Sequence, residues 1–169
     1  MDAKTTILTR RSIRKFKQEF IPDDIIESWI RCGMHAPSAG NEQPWHFIII
    51  KKPGTLKEIP RFHNHAHMLT DASLALLICF DKTLEKHQGM AVQDCAAATQ
   101  NILLAIHEQG YGAVWLGVYP REQRMLGLKG LLNIPDYIIP FSLIAIGKTN
   151  ETKDVADRYN KERVHHETW

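Results

Sequence analysis

The run RRSIRKFK at residues 10–17 places Arg10, Arg11, Arg14, Lys15 and Lys17 within eight positions, with the hydroxyl of Ser12 among them. Guanidinium groups present planar forks of N–H donors that match phosphate oxygens, and a serine hydroxyl adds one more donor. The segment therefore reads as a phosphate site, with a solvated basic face as the competing reading of the same residues. Nucleic-acid binding has little support beyond charge. Net charge is only +2 over 169 residues, and neither an RNP-like nor a helix-turn-helix pattern accompanies the basic run.

A second set lies in PSAGNEQPW, residues 37–45, where the Ser38 hydroxyl is followed by Asn41, Gln43 and Trp45 at alternate positions. Each carboxamide both donates and accepts. The set fits the edge of a planar heterocycle that alternates donors and acceptors, as the pyrimidine edge of a flavin does. A plain turn accounts for the same residues. His63, His65 and His67 alternate in HNHAH, which puts them on one side of an extended segment. Spacing alone does not make converging metal ligands, so polar surface or pocket lining is the simpler reading. Near the end, RYNKERVHHETW carries Arg158, Lys161 and Arg163, and its Tyr159 and Trp169 imply that the tail packs on something. No GxSxG, no HExxH and no cysteine with plausible partners is found, so nothing reads as a nucleophile.

The elements that must position these residues follow from composition and punctuation. With 44% apolar residues and no internal repeat, residues 1–169 read as one domain. Cys32, Cys79 and Cys95 have no CxxC spacing and are odd in number, which predicts reduced, buried thiols. With no signal-like opening segment and no long apolar run, the expected location is the cytoplasm. A short helix to about residue 10 and a second from Pro22 to Pro37 precede the first strand, WHFIIIKK. Short helical pieces over 55–71 lead to a second strand, SLALLICF, an unbroken apolar run of the kind found inside a covered sheet. Residues 90–109 predict the longest helix, with more apolar surface than a simple surface helix needs. AVWLGVY, a short helix around 121–128 and IIPFSLIAIG complete the order, with Pro140 expected at a sheet edge or a strand start. The fold class is α+β with a mixed, largely covered sheet. A doubly wound parallel sheet is the alternative, although no GxGxxG follows a predicted strand.

Taken together and in this order, RRSIRKF, HAPSAGNEQPWHF, GYGAVWLGVYP and RYNKERVHHETW resemble the FMN-dependent nitroreductase family. The resemblance implies a nitroreductase-like fold, a homodimer built around the long central helix at the interface, and FMN held in clefts that both subunits form. It implies that Arg10 and Ser12 hold the phosphate and ribityl end, with Arg11 and Arg163 assisting, and that Arg14 approaches the pyrimidine edge. Pro37, Ser38, Ala39, Asn41 and Gln43 would be the loop lent by the partner, and Leu116 and Gly117 the backbone near N5. The activity so implied is hydride transfer from NADH or NADPH through flavin to nitroaromatics, quinones or similar electron-poor acceptors, by a ping-pong mechanism. The same scaffold is also compatible with another reductive substrate, such as an activated alkene, a halophenol or free flavin, or with FMN binding without turnover.

Overall fold

The computed structural model describes residues 1–169. Helix α1 (Ala3–Thr9) starts at Asp2, whose carboxylate accepts from the Thr5 backbone N–H at 3.0 Å. Helix α2 (Asp23–Met34) begins directly after Pro22 with Asp23 and Asp24 in its first turn, where carboxylates meet the positive end of the helix dipole. Ile26, Trp29 and Gly33 recur at helical spacing and are its buried residues. Next come β1 (Trp45–Ile50), α3 (Pro53–Glu58) and two 3-10 turns at 59–61 and 67–70. The chain closes with β2 (Leu74–Asp81), α4 (Ala91–Glu108), β3 (Gly112–Gly117), α5 (Glu122–Leu132) and β4 (Ile138–Gly147). No helix is long and apolar enough to cross a membrane.

The sheet has the order β1-β2-β4-β3, and all three pairings are antiparallel. The α+β class holds, but the mixed sheet expected from sequence is not formed within the chain, and the doubly wound alternative is excluded. The reason is topological. β2 and β3 run the same way, and the connection through α4 would allow them to pair in parallel, but β4 inserts between them. Pro140 is likewise not at an edge: it lies in interior β4, three residues into the strand. There the register against β2 slips between Ile78 and Cys79, and a bulge leaves the missing N–H of a proline without cost.

Every residue of β2 and β4 is buried, because helices cover both faces. Leu76, Ile78, Ile144 and Ile146 pack with Ile26, Trp29, Ala98 and Ile102 of α2 and α4. The alternate residues Leu77, Leu143 and Ala145 pack with Leu56, Ile59 and Leu128 on the other face. Gly33 lets α2 approach α4 closely, since a Cβ there would lie 2.7 Å from Ile102 Cδ1. One polar pair ties α4 to the sheet: Thr99 Oγ1 lies 2.8 Å from Ser142 Oγ, both fully buried.

Three further expectations change. Cys79 and Cys95 are buried, and burial pushes the Cys79 thiol up to about 12, but Cys32 is exposed. Trp45 is not offered to a ligand: it opens β1 opposite Phe80 and is buried in the core. The tail does not pack on its own chain, since Tyr159 is 75% exposed and Trp169 fully exposed.

Candidate functional site

Residues 10–17 run without helix or strand and are stitched to β3 on one side and to residues 148–154 on the other. Ile13 donates its N–H to the Ala113 carbonyl of β3 at 2.9 Å, and Lys17 donates to the Lys148 carbonyl at 2.8 Å. Glu151 accepts the backbone N–H groups of Arg14 (2.9 Å) and Lys15 (3.2 Å), which hold its carboxyl below the usual range. Lys153 Nζ donates to the Ser12 carbonyl at 2.8 Å, and the Arg11 guanidinium donates to the Asp154 carbonyl. The basic segment is thereby set as a fixed edge beside β3.

This edge crowds cations without neutralising them. Half-buried Arg10 has its pKa lowered by desolvation, then by the charges of Arg158 and Arg11. None of Arg10, Arg11, Arg14 and Arg158 forms an ion pair with a carboxylate. The cluster also acts on His107, whose pKa is lowered by burial and by Arg10, and whose Nε2 lies 2.9 Å from Thr9 Oγ1. Guanidinium groups brought together in this way invite an anion of multiple charge, and phosphate matches their forks. The tail cation beside Arg10 is Arg158. Arg163 sits in an exposed 3-10 turn at 161–163 and makes no hydrogen bond or ion pair to residues 10–14. Both arginines were visible in RYNKERVHH, but no spacing rule chooses between them in a segment without regular structure.

Next to this edge is a cavity of about 390 Å³ whose lining includes Arg14, His63, Trp115, Leu116, Gly117 and Arg124. The structure thus brings together Arg14, Leu116 and Gly117, and adds Arg124, which sequence reasoning missed. His65 and His67 also line it, but no group of three or more His, Cys, Asp and Glu gathers in a metal-binding arrangement. The carbonyl of Gly117, the last residue of β3, accepts from Arg124 Nη1 at 2.5 Å and lies 3.1 Å from His63 Nε2. His63 is 1% exposed, and burial, then Arg124, lowers its pKa. A neutral imidazole donating from Nε2 satisfies the carbonyl, while Nδ1 remains buried and unpartnered. Two donors from separate elements therefore fix the backbone at the end of β3. Only the start of α5 gives Arg124 this reach, and no local pattern announces it.

The 37–43 loop forms a second cluster. Gly40, Asn41 and Gln43 have φ of 53°, 55° and 47°, the left-handed region that glycine and asparagine tolerate best. Gln43 is held there by two bonds: its N–H donates to Ser38 Oγ at 3.1 Å, and its Nε2 donates to Asn41 Oδ1 at 3.1 Å. The Ala39 N–H donates to Asp94 Oδ1 at 3.1 Å, joining the loop to the first turn of α4. Asn41 and Gln43 are exposed and Glu42 between them is buried, so the loop offers its carboxamides outward and anchors itself by a carboxylate. No hydrogen bond or ion pair connects this loop with Arg10, Arg11, Ser12, Arg14, Leu116 or Gly117 of the same chain.

Comparison with known proteins places this arrangement. The nitroreductase family model matches residues 7–74 and 61–148. A protein of Methanothermobacter thermautotrophicus, named as a candidate NADH dehydrogenase/NAD(P)H nitroreductase, is 44% identical across all of this chain and 88% of its own length. A solved protein of the same naming from Parabacteroides distasonis is 35% identical, with a TM-score of 0.94 over 98% of each chain. A candidate nitroreductase from Desulfovibrio desulfuricans, solved in complex with FMN, is 26% identical with a TM-score of 0.84 over 98% of this chain and 96% of its own. With the whole sheet and its covering helices matched in this way, the chain belongs to the nitroreductase family.

Proposed function

We propose that residues 1–169, acting as one domain, form an NAD(P)H-dependent FMN oxidoreductase that reduces nitroaromatic, quinone or similar electron-poor acceptors as a cytoplasmic homodimer. The observation that carries the reading is the unbalanced cluster of Arg10, Arg11 and Arg158 set beside a cavity that Arg14, Leu116 and Gly117 line. The donor set fits FMN end to end. Arg10, Arg11 and Arg158 would hold the phosphate, with Arg163 as a further cation, and Ser12 the ribityl end. Arg14 would favour negative charge at the pyrimidine edge, as a fixed cation in a cavity does. Leu116 and Gly117 would offer backbone near N5, kept in place by His63 and Arg124.

Bound FMN would supply the two-electron exchange between nicotinamide donor and acceptor, so the chain needs no nucleophile of its own. What the protein contributes is a fixed phosphate anchor, an oriented ring edge and a single cavity that donor and acceptor would use in turn, with ping-pong kinetics as the consequence. The separation of the 37–43 loop from the basic edge supports a shared site, in which Pro37, Ser38, Ala39, Asn41 and Gln43 of one copy serve the flavin of the other. A groove of about 580 Å³ lined by Ile7, Cys32, Leu104 and Ala105 along α1, α2 and α4 supports pairing of two copies at the central helix.

The test is the absorption spectrum of the purified protein before and after anaerobic NADH or NADPH, followed by a quinone. Flavin bands that bleach with the nicotinamide and return with the quinone are expected. A protein that shows no flavin band even after FMN is added overturns the reading.

A further inference from the structure

Beneath the 37–43 loop lies a pair of carboxyl groups that the reading above does not use. Glu42 and Asp94 are 6% and 5% exposed. One oxygen of each is accounted for. Glu42 Oε2 accepts from the backbone N–H groups of Lys86 (2.8 Å) and His87 (3.1 Å), on the segment between β2 and α4. Asp94 Oδ1 accepts from the Ala39 N–H. The other two oxygens, Glu42 Oε1 and Asp94 Oδ2, are buried and no N–H donor reaches either. The two side chains come together at one turn, where Asp94 holds the Ala39 N–H and the Glu42 N–H donates to the Ala39 carbonyl at 3.0 Å, close enough that each acts on the other's protonation.

Two ionised carboxylates cannot hold such a contact, whereas one proton between them turns repulsion into a short, charge-assisted O–H···O bond. The surroundings decide which group carries it. Burial raises the Asp94 pKa most, and the bond from Glu42 and the charges of Glu42 and Glu85 add to it, against a lowering by the Ala39 N–H. Burial acts on Glu42 too, but the Lys86 and His87 N–H groups, the bond from Asp94 and the His87 side chain outweigh it and hold Glu42 down. The remaining titratable neighbour is the Cys95 thiol on α4, which burial pushes up and which stays neutral.

We propose that Asp94 and Glu42 share one proton, that their bond positions the 37–43 loop on α4 for the flavin, and that the loop is released when this proton leaves. The positioning role rests on the flavin reading of the loop; the clamp itself does not. The sign follows from the pair. The proton is retained below the raised Asp94 value, so the clamp is closed there. As pH rises through that value, two carboxylates come to face each other and the loop loosens.

The experiment compares the full chain with Asp94→Asn, whose amide donates to Glu42 Oε1 at every pH while its oxygen keeps the Ala39 bond. Hydrogen-exchange protection factors for residues 38–43 and 86–87, and the Kd for FMN, are measured from about pH 5 to about pH 9. Protection in the unaltered chain is expected to fall as pH rises and to stay level in Asp94→Asn. Its FMN affinity should weaken relative to the variant by up to about tenfold for each pKa unit by which docking raises Asp94. Contributions of the flavin phosphate and the arginines are common to both proteins and cancel in the ratio. Protection that follows the same pH course in both proteins overturns the clamp. Divergent protection with a constant Kd ratio overturns its role in positioning the flavin loop. If neither protein binds FMN at any pH, the flavin reading fails, and the exchange data alone decide the clamp. Should Asp94→Asn fail to fold, Glu42→Gln donates from the other side and carries the same test; Asp94→Ala, with no donor, should leave the loop open throughout.

Discussion

Arg10 holds its charge in the company of Arg11 and Arg158 and without a carboxylate, so its contribution changes sign with the ligand. Arg10→Ala removes repulsion in the protein alone and should leave its melting temperature unchanged or raised. It also removes a charge-assisted contact worth about 1.5–3 kcal/mol, so FMN affinity should fall about tenfold to a hundredfold and the stabilisation conferred by FMN should shrink. Melting curves with and without FMN, together with flavin fluorescence titration, measure both signs. The same change at Arg158 should reproduce the effect and separates it from Arg163 as the tail cation. His63 yields a pH test. Its folded pKa is lowered, so its contribution to stability is complete above the ordinary histidine value of about 6.5 and is lost as pH falls through the depressed value. Urea unfolding should show the chain weakening in acid, and less so in His63→Gln, which keeps a donor for the Gly117 carbonyl without a titrating ring.

At the scale of elements, α4 is joined to β4 by more than apolar packing. Thr99 Oγ1 bonds to the Cys95 carbonyl at 2.7 Å and meets Ser142 Oγ at 2.8 Å, with no water-exposed alternative for either hydroxyl. Thr99→Val keeps the shape and strands the Ser142 hydroxyl, at an expected cost of about 1–3 kcal/mol in urea unfolding with an unchanged slope. Most elements were legible beforehand. The spacing of Ile26 and Trp29 marked α2, the apolar run 74–80 marked a strand covered on both faces, and residues 138–147 form the strand expected. Helix α5 runs to Leu132, beyond the predicted 128, and ends at Asn133 with φ 53°. Gly127 and Gly130 depress local helix propensity, yet Gly127 is needed where α5 packs on the Phe62 ring, and that packing is invisible locally.

The whole molecule ends in a segment that its own chain does not cover. Val155, Tyr159 and Trp169 are 65%, 75% and 101% exposed, although apolar side chains of this size usually find a surface. In the proposed homodimer the second copy supplies that surface, while Arg158 keeps its place beside Arg10 of its own chain. Removing residues 155–169 should leave the sheet and its cooperative unfolding intact while weakening dimerisation and FMN binding together. Light scattering after size exclusion and flavin titration would read these; a truncated chain that remains dimeric and binds FMN as before counts against a structural role for the tail. By itself the sequence determined what local rules can carry: the helices, the strands, the basic run, the carboxamide loop and, through their order, the family. Only the tertiary structure decided that β4 separates β2 from β3, that Trp45 turns into the core, that Arg158 rather than Arg163 stands beside Arg10, and that Glu42 and Asp94 are buried together under one loop. Each of these joins residues tens of positions apart, where the outcome depends on which burial and charge contacts can be satisfied at once, and no spacing along the chain records that.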